Sequence, residues 1–138
     1  MSRVVFAAVC LLPAACAAAD EPLKEAEAAL RKQDYAAARK LAAAAVAADP
    51  KDPEARYLLG QACLRGRDNA AAEVAFTGLI ELAPELWFAH DGRGDARLKA
   101  GKFPDAVADF DKALELKPEL APEHWRRGIA LYYAGRFA

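Results

Sequence analysis

A chain of 138 residues has room for one domain. Its 19 Lys and Arg against 20 Asp and Glu leave a net charge of −1, so it offers no basic surface to displace the counterions of a nucleic acid. Alanine, the best helix former, is abundant and β-branched runs are scarce, which argues against strands and for an all-α fold.

The chain opens on a leader. Ser2-Arg3 is a short positive segment, Val4 to Leu12 is an apolar run of nine residues, Pro13 breaks it, and Ala14 to Ala19 offers small-residue cleavage sites. That is the anatomy of a secretory signal peptide. The apolar run is far short of the roughly 20 residues that span a bilayer. Cleavage after Ala19 would leave a mature chain beginning Asp20-Glu21-Pro22, exported to a bacterial periplasm or secreted. Ala14-Ala15-Cys16 is similar to the end of a bacterial lipobox, with Cys16 as the lipidated residue. Pro13 stands where that motif wants Leu, which argues against lipidation. Cys10 and Cys16 fall in the leader, so Cys63 has no disulfide partner in the mature chain and reads as a small buried hydrophobe.

Seven helices are predicted after the leader. They run over about Pro22–Lys32, Tyr35–Ala48, Pro53–Arg65, Asp68–Ala83, Trp87–Lys99, Pro104–Leu116 and Pro122–Ala134. Asp52-Pro53 is a strong start, an N-cap residue followed by proline at the first helical position. Gly101 and Gly135 suit the left-handed residue that ends a helix. The second helix is built on alanines, and its small side chains predict a thin core at that end.

One spacing runs through all of this. Gly60, Gly94 and Gly128 are 34 residues apart, and Pro50, Pro84 and Pro118, Ala38, Ala72 and Ala106, and His90 and His124 keep the same step. A fixed period of this length marks a stacked repeat. The units are 19–52, 53–86, 87–120 and an incomplete 121–138, with no insertion or deletion. In this register place eight reads Ala26, Gly60, Gly94, Gly128, and place 24 reads Ala42, Phe76, Phe110. The pattern resembles the tetratricopeptide repeat, a helix–turn–helix unit, over nearly the whole mature chain. The resemblance implies an α-solenoid of antiparallel helix pairs, helix A and helix B. Small residues at places eight and 20 let the pair approach closely, and proline at place 32 ends helix B. The fourth unit stops after Gly135-Arg136-Phe137-Ala138, where the third continues into helix B. Its helix is apolar on more than one face, a poor terminal cap. It reads as a truncated array, or, if complete, as an end prone to self-association.

The resemblance also implies a function. In this family helix A lines a concave face through places two, five, six, nine, twelve and thirteen. In the second unit these include Tyr57, Leu58, Gln61, Leu64 and Arg65; in the third Phe88, Asp91, Asp95 and Lys99; in the fourth Trp125, Arg126 and Ile129. Aromatic anchors mixed with a few polar groups suit a protein or peptide partner. The expectation is therefore a non-catalytic binding scaffold without a cofactor. A chaperone carboxylate clamp needs Lys and Asn at such places, and here they hold Leu23, Glu27, Leu58, Phe88 and Gly92. His90 and His124 hold equivalent places on neighbouring helices, so their side chains should point in parallel and pack between helices. They lack a third histidine to complete a metal site. Arg93-Gly94-Asp95 spells an integrin-type tripeptide but lies inside a helix with its glycine at an interface.

Overall fold

The computed structural model describes residues 12–135. Its elements are α1 (Leu12–Arg31), α2 (Tyr35–Ala48), α3 (Pro53–Arg65), α4 (Asn69–Leu82), α5 (Trp87–Lys99), α6 (Phe103–Leu116), a 3-10 segment (Pro118–Glu123) and α7 (Trp125–Tyr133). The described residues contain no strand. Consecutive helices pair as hairpins and each pair stacks on the next, an all-helical solenoid. None of the described helices is long and apolar enough to cross a membrane. Ser2-Arg3, most of the apolar run Val4 to Leu12 and the terminal Arg136-Phe137-Ala138 lie outside the described residues.

Local chemistry sets the helix starts. Asp34, Asp52 and Asp68 cap α2, α3 and α4, accepting the backbone N–H of Ala37 (3.1 Å), Glu54 (2.9 Å) and Ala71 (3.1 Å). Each A helix then turns through one left-handed residue. Gly101 and Gly135 have φ of +79° and +69°, as expected for glycine, and the repeat-equivalent Gln33 and Arg67 adopt +62° and +66°.

Two elements depart from expectation. The first helix begins at Leu12 rather than near Pro22. Pro13 sits in its first turn, where a missing N–H costs nothing, and the alanine-rich stretch after it propagates the helix through Pro22. The last helix begins at Trp125, not Pro122, after the 3-10 segment. In the third unit Trp87 and Phe88 pack aromatic rings in the first turn of helix A. The fourth unit has Ala121 and Pro122 there, with no ring to anchor that turn.

The core runs along the stack as three successive clusters. The first, between α1, α2 and α3, is mostly alanine: Ala26, Ala29, Ala38, Ala42 and Ala45, with Leu23, Leu30 and Leu58. The second centres on Phe76 and Leu79 between α3, α4 and α5. The third centres on Phe110 and Val107 beneath α7. Small residues make the close approaches. A Cβ at Gly60 would lie 2.8 Å from the Phe76 ring, and one at Gly94 would lie 2.7 Å from Phe110. Ala72 and Ala106 are fully buried, while Pro50, Pro84 and Pro118 fall in the connections between units.

A partly buried charge network centred on the buried Asp109 ties α4, α5 and α6 together. Asp109 accepts from Arg93 through Nε (3.0 Å) and a terminal nitrogen (2.7 Å), and from Arg97 (2.9 Å). Arg97 also donates to Glu73 (2.8 Å), as does Lys102 (2.8 Å). Hydrogen bonds from Lys102 and Arg97 hold the Glu73 carboxyl below the usual carboxylate range, against the opposing pull of burial.

Candidate functional site

Helices α3, α5 and α7 lie in one row. Three aromatic side chains mark the middle of it. Tyr57 from α3 meets Phe88 from α5 edge to face, with ring centroids 5.1 Å apart, and Trp87 meets Phe88 in the same manner at 5.8 Å. The Lys117 ammonium stands 4.5 Å over the Trp87 ring.

These rings divide two depressions. On one side Pro53, Tyr57, Leu86, Trp87 and Phe88 enclose an apolar pocket of about 480 Å³, with Glu54 as its one charged side chain. On the other is a polar groove of about 330 Å³. Gln61, Leu64 and Arg65 line it from α3, Asp91, Asp95 and Lys99 from α5, and Arg126 from α7. Tyr57 and Phe88 border both. Gly92 forms part of the floor, where a Cβ would lie 2.6 Å from Phe76. The absence of a side chain there lets the Phe76 ring lie beneath the groove.

The groove's charges are mutually engaged. Asp91 accepts from the Nε2–H of His124 (2.8 Å) and from Arg126 (2.7 Å). An ionised carboxylate can only accept, so that hydrogen bond fixes the proton on Nε2 of His124. Asp95 pairs with Lys99 at 3.1 Å and with the second arm of Arg126 at 3.6 Å. Arg126 thus clamps two carboxylates one helical turn apart while its guanidinium lies 5.7 Å over the Phe110 ring. Arg65 is exposed at the rim.

Nine of the twelve residues expected on the concave face border the groove. Leu58 does not. It is buried in the first core cluster, because α1 and α2 cover that side of α3. Trp125 and Ile129 are exposed on α7 but line neither depression. Leu23, another place tested for a carboxylate clamp, is a buried leucine like Leu58. Trp87 is not among the expected residues. Its place, the first of the unit, carries no ligand role in the repeat pattern, though a Trp-Phe pair opening a helix is a signal for an aromatic wall.

The two histidines do different things. The Nε2–H of His90 donates to the Pro84 carbonyl (2.8 Å), closing the turn before its own helix. His124 reaches the preceding unit's Asp91 instead, and its ring lies edge-on to Phe110 with centroids 4.7 Å apart. The expectation of parallel side chains therefore fails. His124 precedes α7 and ends the 3-10 segment, whereas His90 lies inside α5. Both act in packing between elements. Among the described residues no three His, Cys, Asp or Glu converge to hold a metal ion. Cys63 is buried, and that burial pushes its thiol up, with the nearby Arg39 cation opposing.

Comparison with known proteins fits this geometry. One tetratricopeptide-repeat model matches residues 23–86 and a second matches residues 87–120. No curated protein matches the chain. Among solved structures, the tetratricopeptide domain of Arabidopsis OM64 superposes with a TM-score of 0.78 at 20% identity, covering 82% of this chain and 93% of that one. The first tetratricopeptide domain of Spaghetti (RPAP3), bound to the HSP90 peptide SRMEEVD, gives 0.75 at 25% identity over 83% of this chain and 93% of its own. An O-GlcNAc transferase mutant of Thermobaculum terrenum gives 0.76 at 23% identity over 85% of this chain, which spans 22% of the transferase. Repeat spacing, stacked helical hairpins and matched repeat models together make this chain a member of the tetratricopeptide-repeat family.

Proposed function

We propose that the chain is a binding scaffold that docks a peptide or helical segment of a protein partner on the face of α3, α5 and α7. The observation that carries this reading is the Tyr57–Trp87–Phe88 wall, with an apolar pocket on one side and a polar groove on the other. Such a pairing lets an apolar side chain anchor a peptide while the polar groups set its orientation. A structural relative holding a peptide supports the same class of ligand here. The buried leucines at Leu23 and Leu58 argue against a carboxylate clamp of the chaperone-binding kind.

Peptides selected from a random display library on the wild-type chain supply the test. Tyr57→Ala or Phe88→Ala should weaken their capture by about tenfold or more, as for anchors in a hot spot. Trp125→Ala should leave it unchanged. Circular dichroism would show that helix content is kept. Full capture by both Tyr57→Ala and Phe88→Ala would remove the assignment.

The leader of residues 1–19 supports export. Expressed with its own N-terminus in a bacterium, the protein should be recovered outside the cytoplasm with Asp20 as its first residue by N-terminal sequencing. Retention in the cytoplasm with Met1 intact would end that reading.

A further inference from the structure

On the reading that a peptide docks along α3 and α5, the charges of that seam indicate what the peptide carries. The polar groove runs on into a third depression, of about 360 Å³, lined by Leu64, Arg65, Arg67, Asn69 and Lys99. Shared residues make the three depressions continuous. Tyr57, Trp87 and Phe88 border the first two, and Leu64, Arg65 and Lys99 border the last two. The seam therefore has an apolar end at the start of α3 and a cationic end at its close. α3 and α5 both have stacked neighbours on either side, so a further helix added to the stack would not cover it.

The carboxylates of the groove are already taken. Asp91 is held by His124 and Arg126, and Asp95 by Lys99 and Arg126. Arg65 and Arg67 are exposed, and neither guanidinium has a partner among the described residues. The Lys99 side chain has only Asp95 and is 49% exposed. Positive charge is thus in excess at this end. The helix dipole favours a cation in the last turn of a helix, which accounts for Arg65 and Lys99 one at a time. It does not account for Arg67. That residue lies beyond the end of α3 with φ of +66°, the left-handed conformation of its repeat equivalent Gly101. A side chain there carries a strain that glycine avoids.

We infer that the seam takes an extended acidic segment of a partner protein, with an apolar side chain in the pocket of Pro53, Tyr57, Trp87 and Phe88 and one or more Asp or Glu side chains at Arg65, Arg67 and Lys99. The groove between these ends, about 330 Å³, is too slight for a helix about 10 Å across. Arg65 is eleven residues after Glu54, about 16 Å along the helix axis. An extended chain covers that distance in about five residues. Glu54 borders the apolar pocket and repels a carboxylate there, which fixes which end of the seam is acidic-binding. The recognised groups are side-chain carboxylates, so no free C-terminus is required.

Peptides selected on the full chain from a random display library are the probe, since selection presumes neither charge nor spacing. Asp and Glu should be enriched about five residues from an apolar anchor. Selected peptides, labelled and titrated into the full chain, should bind about tenfold or more weakly to an Arg65→Gln, Arg67→Gly double variant. Its melting temperature should not fall, because glycine suits the left-handed turn. Replacing the peptide's Asp and Glu by Asn and Gln should weaken binding to the wild-type chain several-fold but have little effect on binding to the double variant. Lys40→Gln, which removes an exposed cation on α2, should leave binding unchanged, and so should a C-terminal amide on the peptide.

Peptides that need Tyr57 and Phe88 yet show no acidic enrichment overturn this inference and leave the docking face standing. Binding unmoved by the double variant, or dependent on a free C-terminal carboxylate, overturns it in the same way. Acidic peptides indifferent to Tyr57→Ala and Phe88→Ala, or selection of no peptide at all, overturn both readings.

Discussion

Asp109→Ala should cost about 3–5 kcal/mol, the loss typical of breaking a buried ion pair by removing one partner. The Asp109 side chain is 4% exposed and carries hydrogen bonds from two guanidinium groups, those of Arg93 and Arg97. Removing it strands Arg93 with only a long contact to Thr77, and leaves Arg97 with Glu73 as its hydrogen-bonded carboxylate and the more distant charge of Asp105. The penalty comes from the uncompensated cations, not from the worth of the bonds themselves. Replacing all three residues by apolar ones of similar size (Arg93→Leu, Arg97→Met, Asp109→Leu) should therefore cost far less than Asp109→Ala. Urea unfolding of the two variants provides the comparison. A single-variant loss below about 1 kcal/mol, the range of solvated surface pairs, would mean that water reaches the network.

Phe76→Ala is expected to cost a similar amount, about 3–5 kcal/mol, as truncation of a buried aromatic does. Here the ring does more than fill a cavity. It lies against Gly60 of its own unit and Gly92 of the next, and its edge meets Tyr57 at a centroid distance of 6.4 Å. It is thus a central contact among those that join the second and third units. In a stack held by nearest-neighbour interfaces, weakening one interface divides the array into parts that unfold separately. Thermal unfolding of Phe76→Ala should show a broadened or two-step transition. Gly60→Ala combined with Phe76→Leu should recover part of the loss, since the added methyl fills space the smaller side chain vacates. One sharp transition, with a midpoint within about 5 °C of the wild type, would show that the units are joined elsewhere.

Much of the fold was legible in the 34-residue period because each repeated place carries a physical demand. α2, α3 and α5 have the predicted bounds, since caps, prolines and a change of hydrophobic pattern mark their ends. The left-handed turn was visible at Gly101 and Gly135 through glycine itself. At Gln33 and Arg67 composition hides it, and the period alone reveals it. Leu58 shows where the repeat misleads. Its place is concave by the repeat pattern, but burial depends on what covers α3, and the covering helices belong to the preceding unit. His124 shows a second limit. Matched places give matched geometry only while the backbone keeps its register, and Ala121 and Pro122 cannot hold the first turn that Trp87 and Phe88 hold. The apolar pocket depends on rings from two units meeting across an interface, a juxtaposition that no single repeat displays.

The proposed removal of residues 1–19 would change the start of the long α1. With residues 12–19 in the helix, Pro22 lies inside it, where a proline has no hydrogen-bond donor and crowds the preceding turn at a cost of about 3 kcal/mol. Removal of residues 1–19 would make Pro22 the third residue of the chain, in an opening turn that needs no donor. The same proline would change from a defect into a helix-starting residue. Processing would then relieve strain at the alanine-rich end, the part of the solenoid with the least side-chain volume to spare.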